Sequence, residues 1–453
     1  MIDFRNIAAF CVGTAMMLGA SEGQAAGGVS NPVVDCTANP AALAGTNFYP
    51  GTTYQLKGSC KGDFYIEVNN VTLQPLAPAT RATVTGPIAV FAPGTTLKNI
   101  DIAGPFTVPS PKGIIAGLWV NGGTGIVIYE GGTISGVTGL AGALASDSGL
   151  LLLYDATVSG NTGDGVEASE GGHVILGNLG PNGPILQSTV TGNSRFGVEA
   201  WENGTITGYG ATIRDSLVGG VASNGGSLTL WGGTITAPTG LTALQASGGS
   251  LELRPPPTGG GPGPAISAPG GIGVFVDTAG HAIMRAASIT ADGASYALFA
   301  NTGASVTSLG GNRITNTNAS GRTVFLIGNS AFLSVDGTTN GYSAASDTIT
   351  GSTGANAVPF QVFGNSSAFL QATTVVGNVL VDNLSSLTLA NEFPSDSVLL
   401  ENNLILSEAA GATGVPGAAH SKIHGNVNCS DSTSHFNAAY ITVNGSINCG
   451  SFQ

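Results

Sequence analysis

The chain has 453 residues, a formal net charge of −13 and only 9% charged side chains, with 71 glycines and 6% aromatic residues. An ordinary soluble domain carries about 25% charged residues, so the surface must be built largely from Gly, Ser, Thr, Asn and Ala. An acidic chain with 13 scattered Lys and Arg repels polyanions, which excludes nucleic-acid recognition.

At the N-terminus, Arg5 precedes an apolar run from Ile7 to Ala20, and Gly23-Gln24-Ala25 supplies a small-residue cleavage site. The run is too short to span a bilayer and reads as a secretory signal peptide over residues 1–25. Cleavage leaves a chain of net charge about −12. Cys11 lies inside the apolar run, which argues against a lipidated N-terminal cysteine. No later run is apolar enough to cross a membrane, so a secreted, cell-surface or periplasmic protein is expected. Residues 26–62 form an N-terminal cap, in which Asn39-Pro40 suits the start of a short helix over the open end of a core.

From about residue 63 the chain repeats. The small residue closing the tight turn after a short strand recurs at Gly125, Gly149, Gly172, Gly204, Gly226, Gly249, Gly280 and Ala304, most often 22 to 24 residues apart. Longer steps carry Gly/Pro-rich insertions near 177–188 and 254–270, and a further insertion is expected near 338–358. Each repeat has three short strands whose apolar alternation predicts an inward face. Val166 and Ala168, Val198 and Ala200, Val274 and Val276 precede the turn. Leu151 and Leu153, Val174 and Leu176, Leu228 and Leu230, Leu251 and Leu253 follow it. Ile134, Val158, Val190, Ile213, Ile235, Ile289 and Ile314 form a third ladder.

Three strands per repeat of about 23 residues, each coil pairing with the next, predict an all-β parallel β-helix over residues 63–400, with C-terminal coils and a cap over 401–453. A β-sandwich would need hairpin turns and would lose the fixed period. The helix is expected to be right-handed, the hand preferred by parallel crossovers, with roughly fourteen coils and a length of about 65 Å. The repeats "SGNTGDGVEASEGGHVIL" and "TGNSRFGVEAWENGTIT" resemble those of the right-handed parallel β-helix superfamily, the pectin-lyase-like group. That resemblance covers most of residues 63–449. It implies the fold but no single activity, because lyases, hydrolases, esterases, tailspikes and autotransporter passengers share it.

Four cysteines remain after signal cleavage. Cys36 and Cys60 are 24 residues apart, and Cys429 and Cys449 are 20 apart, so each pair is about one coil apart. Residues one coil apart stack within disulfide reach, which predicts Cys36–Cys60 and Cys429–Cys449 bonds stapling the first and last coils. A metal site is the rival, but no Cys-x-x-Cys occurs and His420, His424 and His435 lack a repeated geometry.

Two outward columns carry candidate chemistry. Five residues before the turn lie Leu144, Glu167, Glu199, Val221, Leu244, Phe275 and Phe299. Two residues further on lie Ser146, Ser169, Trp201, Ser223, Ala246, Asp277 and Asn301. Glu167 and Glu199 thus fall on neighbouring coils beside Trp201. They are either a glycosidase pair, for which carboxyl separations of about 5 to 5.5 Å suit a retaining mechanism, or solvated positions duplicated with the repeat. Five residues after the turn lie Tyr154, Gly177, Tyr209, Trp231, Arg254 and Arg285, either a stripe for stacking on sugars or a stabilising surface stack.

Absences narrow the rest. The Asn-Thr-Asp, Asp-Asp and Gly-His-Gly motifs that the polygalacturonases of the group imply are missing, and "GGHV" around His173 does not replace them. The basic residue and calcium-holding acids of pectate lyase chemistry are not recognisable, nor are a pectinesterase pattern, a calcium-binding nonapeptide or a Gly-x-Ser-x-Gly elbow. No cofactor is expected. The sequence favours a non-catalytic exported protein binding a polysaccharide, a cell-surface glycan or another macromolecule, akin to an autotransporter passenger without a translocating barrel. A glycoside hydrolase acting on a neutral chain is the alternative.

Overall fold

The structure, a computed structural model, describes residues 31–449 apart from 181–182, 258–260, 294, 319, 336–345, 352–356, 391–397 and 416–419. The signal peptide expected over residues 1–25 lies outside the described residues.

Three long parallel sheets, of 17, 16 and 16 strands, run the length of the molecule, and each coil gives one strand to each. The protein is a parallel β-helix of about sixteen coils, two more than the periodicity suggests. Part of the difference lies at the N-terminal end, where Val33–Asp35 already pairs with Thr53–Lys57. Part lies in stretches that look like insertions. Ala265–Ala268 joins the Ile ladder through Ile266, between Ile235 and Ile289, and Asp347–Thr350 continues it through Ile349. The segment near 177–188 does leave the helix, as an antiparallel pair of Asn178–Gly180 with Gly183–Leu186.

The strand after each turn belongs to the first sheet, the Ile ladder to the second, and the strand before each turn to the third. The predicted inward residues are all buried and join one continuous core. Val158, Val190, Ile213 and Ile235 pair in direct succession. Such ladders of β-branched side chains suit the pleated surface of a strand and leave few voids, so truncating one such isoleucine to alanine costs about 2–5 kcal/mol.

The turn between the third and first sheets explains its own sequence. At Glu202-Asn203-Gly204, the first two residues have φ of 45° and 63°. Gly204 is fixed by contact with the coil before it, because a Cβ there would lie 2.0 Å from the Ala168 carbonyl oxygen. The corner between the second and third sheets is tied by buried asparagines: Asn161 Nδ2 donates to Asn193 Oδ1 at 2.9 Å.

Both disulfides are formed, Cys36–Cys60 with a Cα separation of 5.0 Å and Cys429–Cys449 with one of 4.7 Å. The expected N-terminal helix is shorter and later than Asn39-Pro40 suggests. Asn39 Oδ1 instead accepts from the Ala41 N–H at 3.1 Å, and a single 3-10 turn, Leu43–Gly45, places Leu43 against the core.

One register assignment needs correction. Val221 pairs with Gln245 and Gln245 with Phe275, so Gln245, not Leu244, stands in the outward column, and Ser247 takes the place assigned to Ala246. Leu244 and Ala246 are fully buried core residues. The turn Ser247-Gly248-Gly249 is one residue shorter than Ser223-Asn224-Gly225-Gly226, so a fixed offset from the turn glycine slips by one.

Candidate functional site

On the outer side of the third sheet, Trp119, Leu144, Glu167, Glu199 and Val221 follow one another in lateral register. The sequence reading brings Glu167 and Glu199 together, and the structure does the same. Their setting differs from both sequence-based alternatives, because Glu167 is 3% and Glu199 6% exposed. Neither is solvated, and neither lines an open face. Leu144 and Val221, the neighbours above and below in the column, are also buried. Leu144 packs with Ala116, Ala141 and Trp119 in a small apolar cluster separate from the main core.

A third carboxylate belongs to the group. Asp164, fully buried, has an oxygen within 4.8 Å of one on Glu167 and one on Glu199, and those two lie as close to each other. Strict alternation would turn Asp164 to the same side as Val166. The chain instead places Asp164 beside Ala141 at the strand's start, so Asp164 and Glu167, three apart, reach one place. The signal available in the sequence is local crowding: Asp164, Glu167, Glu170, Arg195, Glu199 and Glu202 fall within two coils of a chain poor in charge.

Arg195 is the cation of the cluster. Its guanidinium donates to Asp164 Oδ2 at 3.0 Å and lies 3.4 Å from Glu199 Oε2, while its plane covers the Phe196 ring at 4.5 Å. The Phe196 N–H donates to the second Asp164 oxygen at 3.0 Å. Glu167 is served differently, for its Oε2 is buried with no hydrogen-bond partner. Burial, and then the charge of Glu199, push the Glu167 carboxyl up to about 7. The same two causes, in the same order, raise the Asp164 carboxyl. A low-polarity setting disfavours the charged form of each, and a neighbouring like charge disfavours it further.

Trp201 follows Glu199 at the strand end, half-buried, and its backbone N–H donates to the Ala168 carbonyl at 2.9 Å. Its counterpart column is polar where it is buried: the Trp119 indole N–H donates to Ser146 Oγ at 2.9 Å.

The second candidate stripe lies on the outer side of the first sheet. Tyr209 pairs with Trp231 and Trp231 with Arg254, and all three, with Tyr154 and Arg285, are half-buried. The Arg254 guanidinium sits 5.4 Å from the Trp231 ring centroid and also pairs with Glu252. Burial raises the Tyr154 and Tyr209 phenols, and Tyr209 adds to the effect at Tyr154. Both therefore stay neutral donors.

A third aromatic group extends the outward column beyond the Phe275 and Phe299 read from the sequence. Phe275, Phe299 and Phe325 stack in register, with centroids 5.2 and 5.5 Å apart, and Tyr296 lies on Phe325 at 5.2 Å. Phe299 is sandwiched between the other two rings, so this ladder stabilises the sheet by ring stacking. No protein-family model matches the chain, and no curated protein sequence matches it.

Proposed function

We propose that the protein is an exported, non-catalytic β-helix that binds a neutral glycan along the outer side of its first sheet. The observation that carries this reading is the Tyr209–Trp231 pair: two aromatic side chains in lateral register, partly exposed and one coil apart. That spacing suits stacking on the apolar faces of sugar rings. The net charge of −13 disfavours an anionic polysaccharide as ligand. Two disulfides fit an oxidising compartment, and the β-helix fits the resemblance to the pectin-lyase-like group, which includes surface and passenger proteins.

A glycosidase built on Glu167 and Glu199 has weaker support. Their oxygens approach within 4.8 Å of each other inside a buried cluster, whereas the known pairs flank a sugar at about 5 Å or more with access for the chain. The test is a panel of neutral polysaccharides assayed for retention of the purified protein and for release of reducing ends. Retention lost in Trp231→Ala and Tyr209→Ala, without reducing-end release, is the expected result. Retention unchanged in both variants removes the stripe, and reducing-end release that disappears in Glu199→Gln replaces binding by hydrolysis.

A further inference from the structure

The cluster of Asp164, Glu167 and Glu199 is incomplete by two independent measures. Charge is the first. Three carboxylates face one guanidinium, so full ionisation leaves two negative charges in a setting where Asp164 is wholly buried and the others nearly so. Uncompensated charge is not tolerated in such surroundings, so the cluster must take up either protons or a cation. Hydrogen bonding is the second. Arg195 reaches Asp164 and Glu199 but leaves Glu167 Oε2 buried with no partner, on a residue that is only 3% exposed and has an oxygen within 4.8 Å of both other carboxylates.

We propose that Asp164, Glu167 and Glu199 hold a divalent cation of the calcium class, clamping two successive coils of the third sheet. One such ion meets both deficits, since it supplies two positive charges and a partner for the orphaned oxygen. The donor set is oxygen only, with no imidazole or thiolate, which selects a hard cation over zinc or copper. Geometry selects within the hard cations. Oxygens at calcium's bond length of about 2.3–2.6 Å lie up to about 5 Å apart across the ion, whereas those at magnesium's length of about 2.0–2.1 Å lie no more than about 4.2 Å apart. The three oxygens lie within 4.8 Å of one another, inside calcium's span, and calcium also accepts the irregular ligand arrangements that magnesium, with its demand for near-ideal octahedral geometry, does not. Glu167 and Glu199 come from paired strands 32 residues apart in sequence, so the ion ties coil to coil. The charged ligands are the chain's own carboxylates, and water would fill the remainder of calcium's roughly six to eight oxygen positions.

The experiment is calcium titration of the purified protein after treatment with a chelator, read by calorimetry and by the melting temperature. Expected are one saturable site per chain, with a Kd at or below about 1 mM as in extracellular calcium modules, a higher melting temperature with calcium, and weaker binding of magnesium. Glu167→Gln keeps the shape and removes one ligand charge. It is expected to weaken calcium binding by more than about tenfold while melting in chelator no lower than the unaltered protein. If Glu167→Gln does not fold, Glu199→Gln carries the same comparison. No saturable calcium binding and no change in melting by the unaltered protein overturns the proposal, as does calcium binding of undiminished affinity in the folded variant.

Discussion

Glu199 lies directly beside Glu167 in lateral register on the third sheet, and a single guanidinium, that of Arg195, reaches Glu199 and Asp164 while bypassing Glu167. The asymmetry makes Arg195 the residue on which the cluster's electrostatics turn. Replacing it with methionine keeps much of the stem that covers Phe196 but removes the donor to Asp164 and the positive charge beside Glu199. Removing one partner of a buried pair costs about 3–5 kcal/mol. With the Arg195 side chain 46% exposed, solvent screening reduces that to about 2 kcal/mol. Urea unfolding at neutral pH in the presence of chelator measures it. A midpoint unchanged in Arg195→Met means that the carboxylates do not depend on the guanidinium.

Asp347 gives a pH dependence of defined sign. It is 1% exposed and accepts from the Asn312 N–H at 2.9 Å, the Ser334 hydroxyl at 2.8 Å and the Ser308 hydroxyl. Burial nevertheless outweighs these donors and raises its carboxyl above the ordinary value of 3.8. A folded-state value above the unfolded one means that the folded protein holds the proton more tightly. The stabilisation is therefore complete below 3.8 and is lost as pH rises through the folded-state value. Thermal melts of the unaltered protein and Asp347→Asn, compared from acid pH upward, should show the advantage of the unaltered protein shrinking as pH rises. An advantage that grows with pH contradicts this assignment.

The disulfides staple the ends of a fold in which each coil contacts chiefly its neighbours. Reduction should raise the intact mass of the folded chain by about 4 Da, two hydrogens per bond. Replacing Cys36 and Cys60 together with serine opens a loop set by their separation of 24 residues, for a cost of about 3 kcal/mol. Hydrogen exchange should then accelerate in the strands Val33–Asp35, Thr53–Lys57 and Ser59–Lys61, with little change beyond the middle coils. Uniform acceleration along the helix indicates that it unfolds as one unit instead.

How much of this was legible in the sequence depends on what a repeat encodes. Val166, Val198 and Val274 could be placed in the core because alternation states which side of a strand a residue leaves from, and the cysteine spacings matched one coil. Leu244 and Ala246 were misplaced because the offset from a turn glycine holds only when turns have equal length. The burial of Glu167 and Glu199 was not legible at all, since alternation separates inner from outer without saying what covers the outer side. Asp164 was missed because it departs from period-two alternation, so its closeness to Glu167 depends on a backbone bend that spacing does not report. The Phe275–Phe299–Phe325 stack had its first two members in the outward column. Phe325 fell after Ala304, where turn spacing no longer kept register.

The turn glycines supply a test of why the repeat has the sequence it has. Gly204 has ordinary φ, and its constraint is contact alone: a Cβ would lie 2.0 Å from the Ala168 carbonyl oxygen and 2.3 Å from its carbon, atoms of a backbone fixed in the adjoining coil. Gly160 presents the opposite case, with a φ of 63° and nothing within 4 Å of its added Cβ. Alanine at Gly160 therefore bears only the left-handed backbone cost of about 1 kcal/mol. Alanine at Gly204 must push two coils apart next to Glu199 and Trp201, at about 3 kcal/mol or more. Chemical denaturation of the two variants side by side should rank Gly204→Ala well below Gly160→Ala. Equal losses would assign the turn glycines to backbone conformation rather than to the approach of one coil to the next, and the regular recurrence at Gly172, Gly204 and Gly226 would need that other cause.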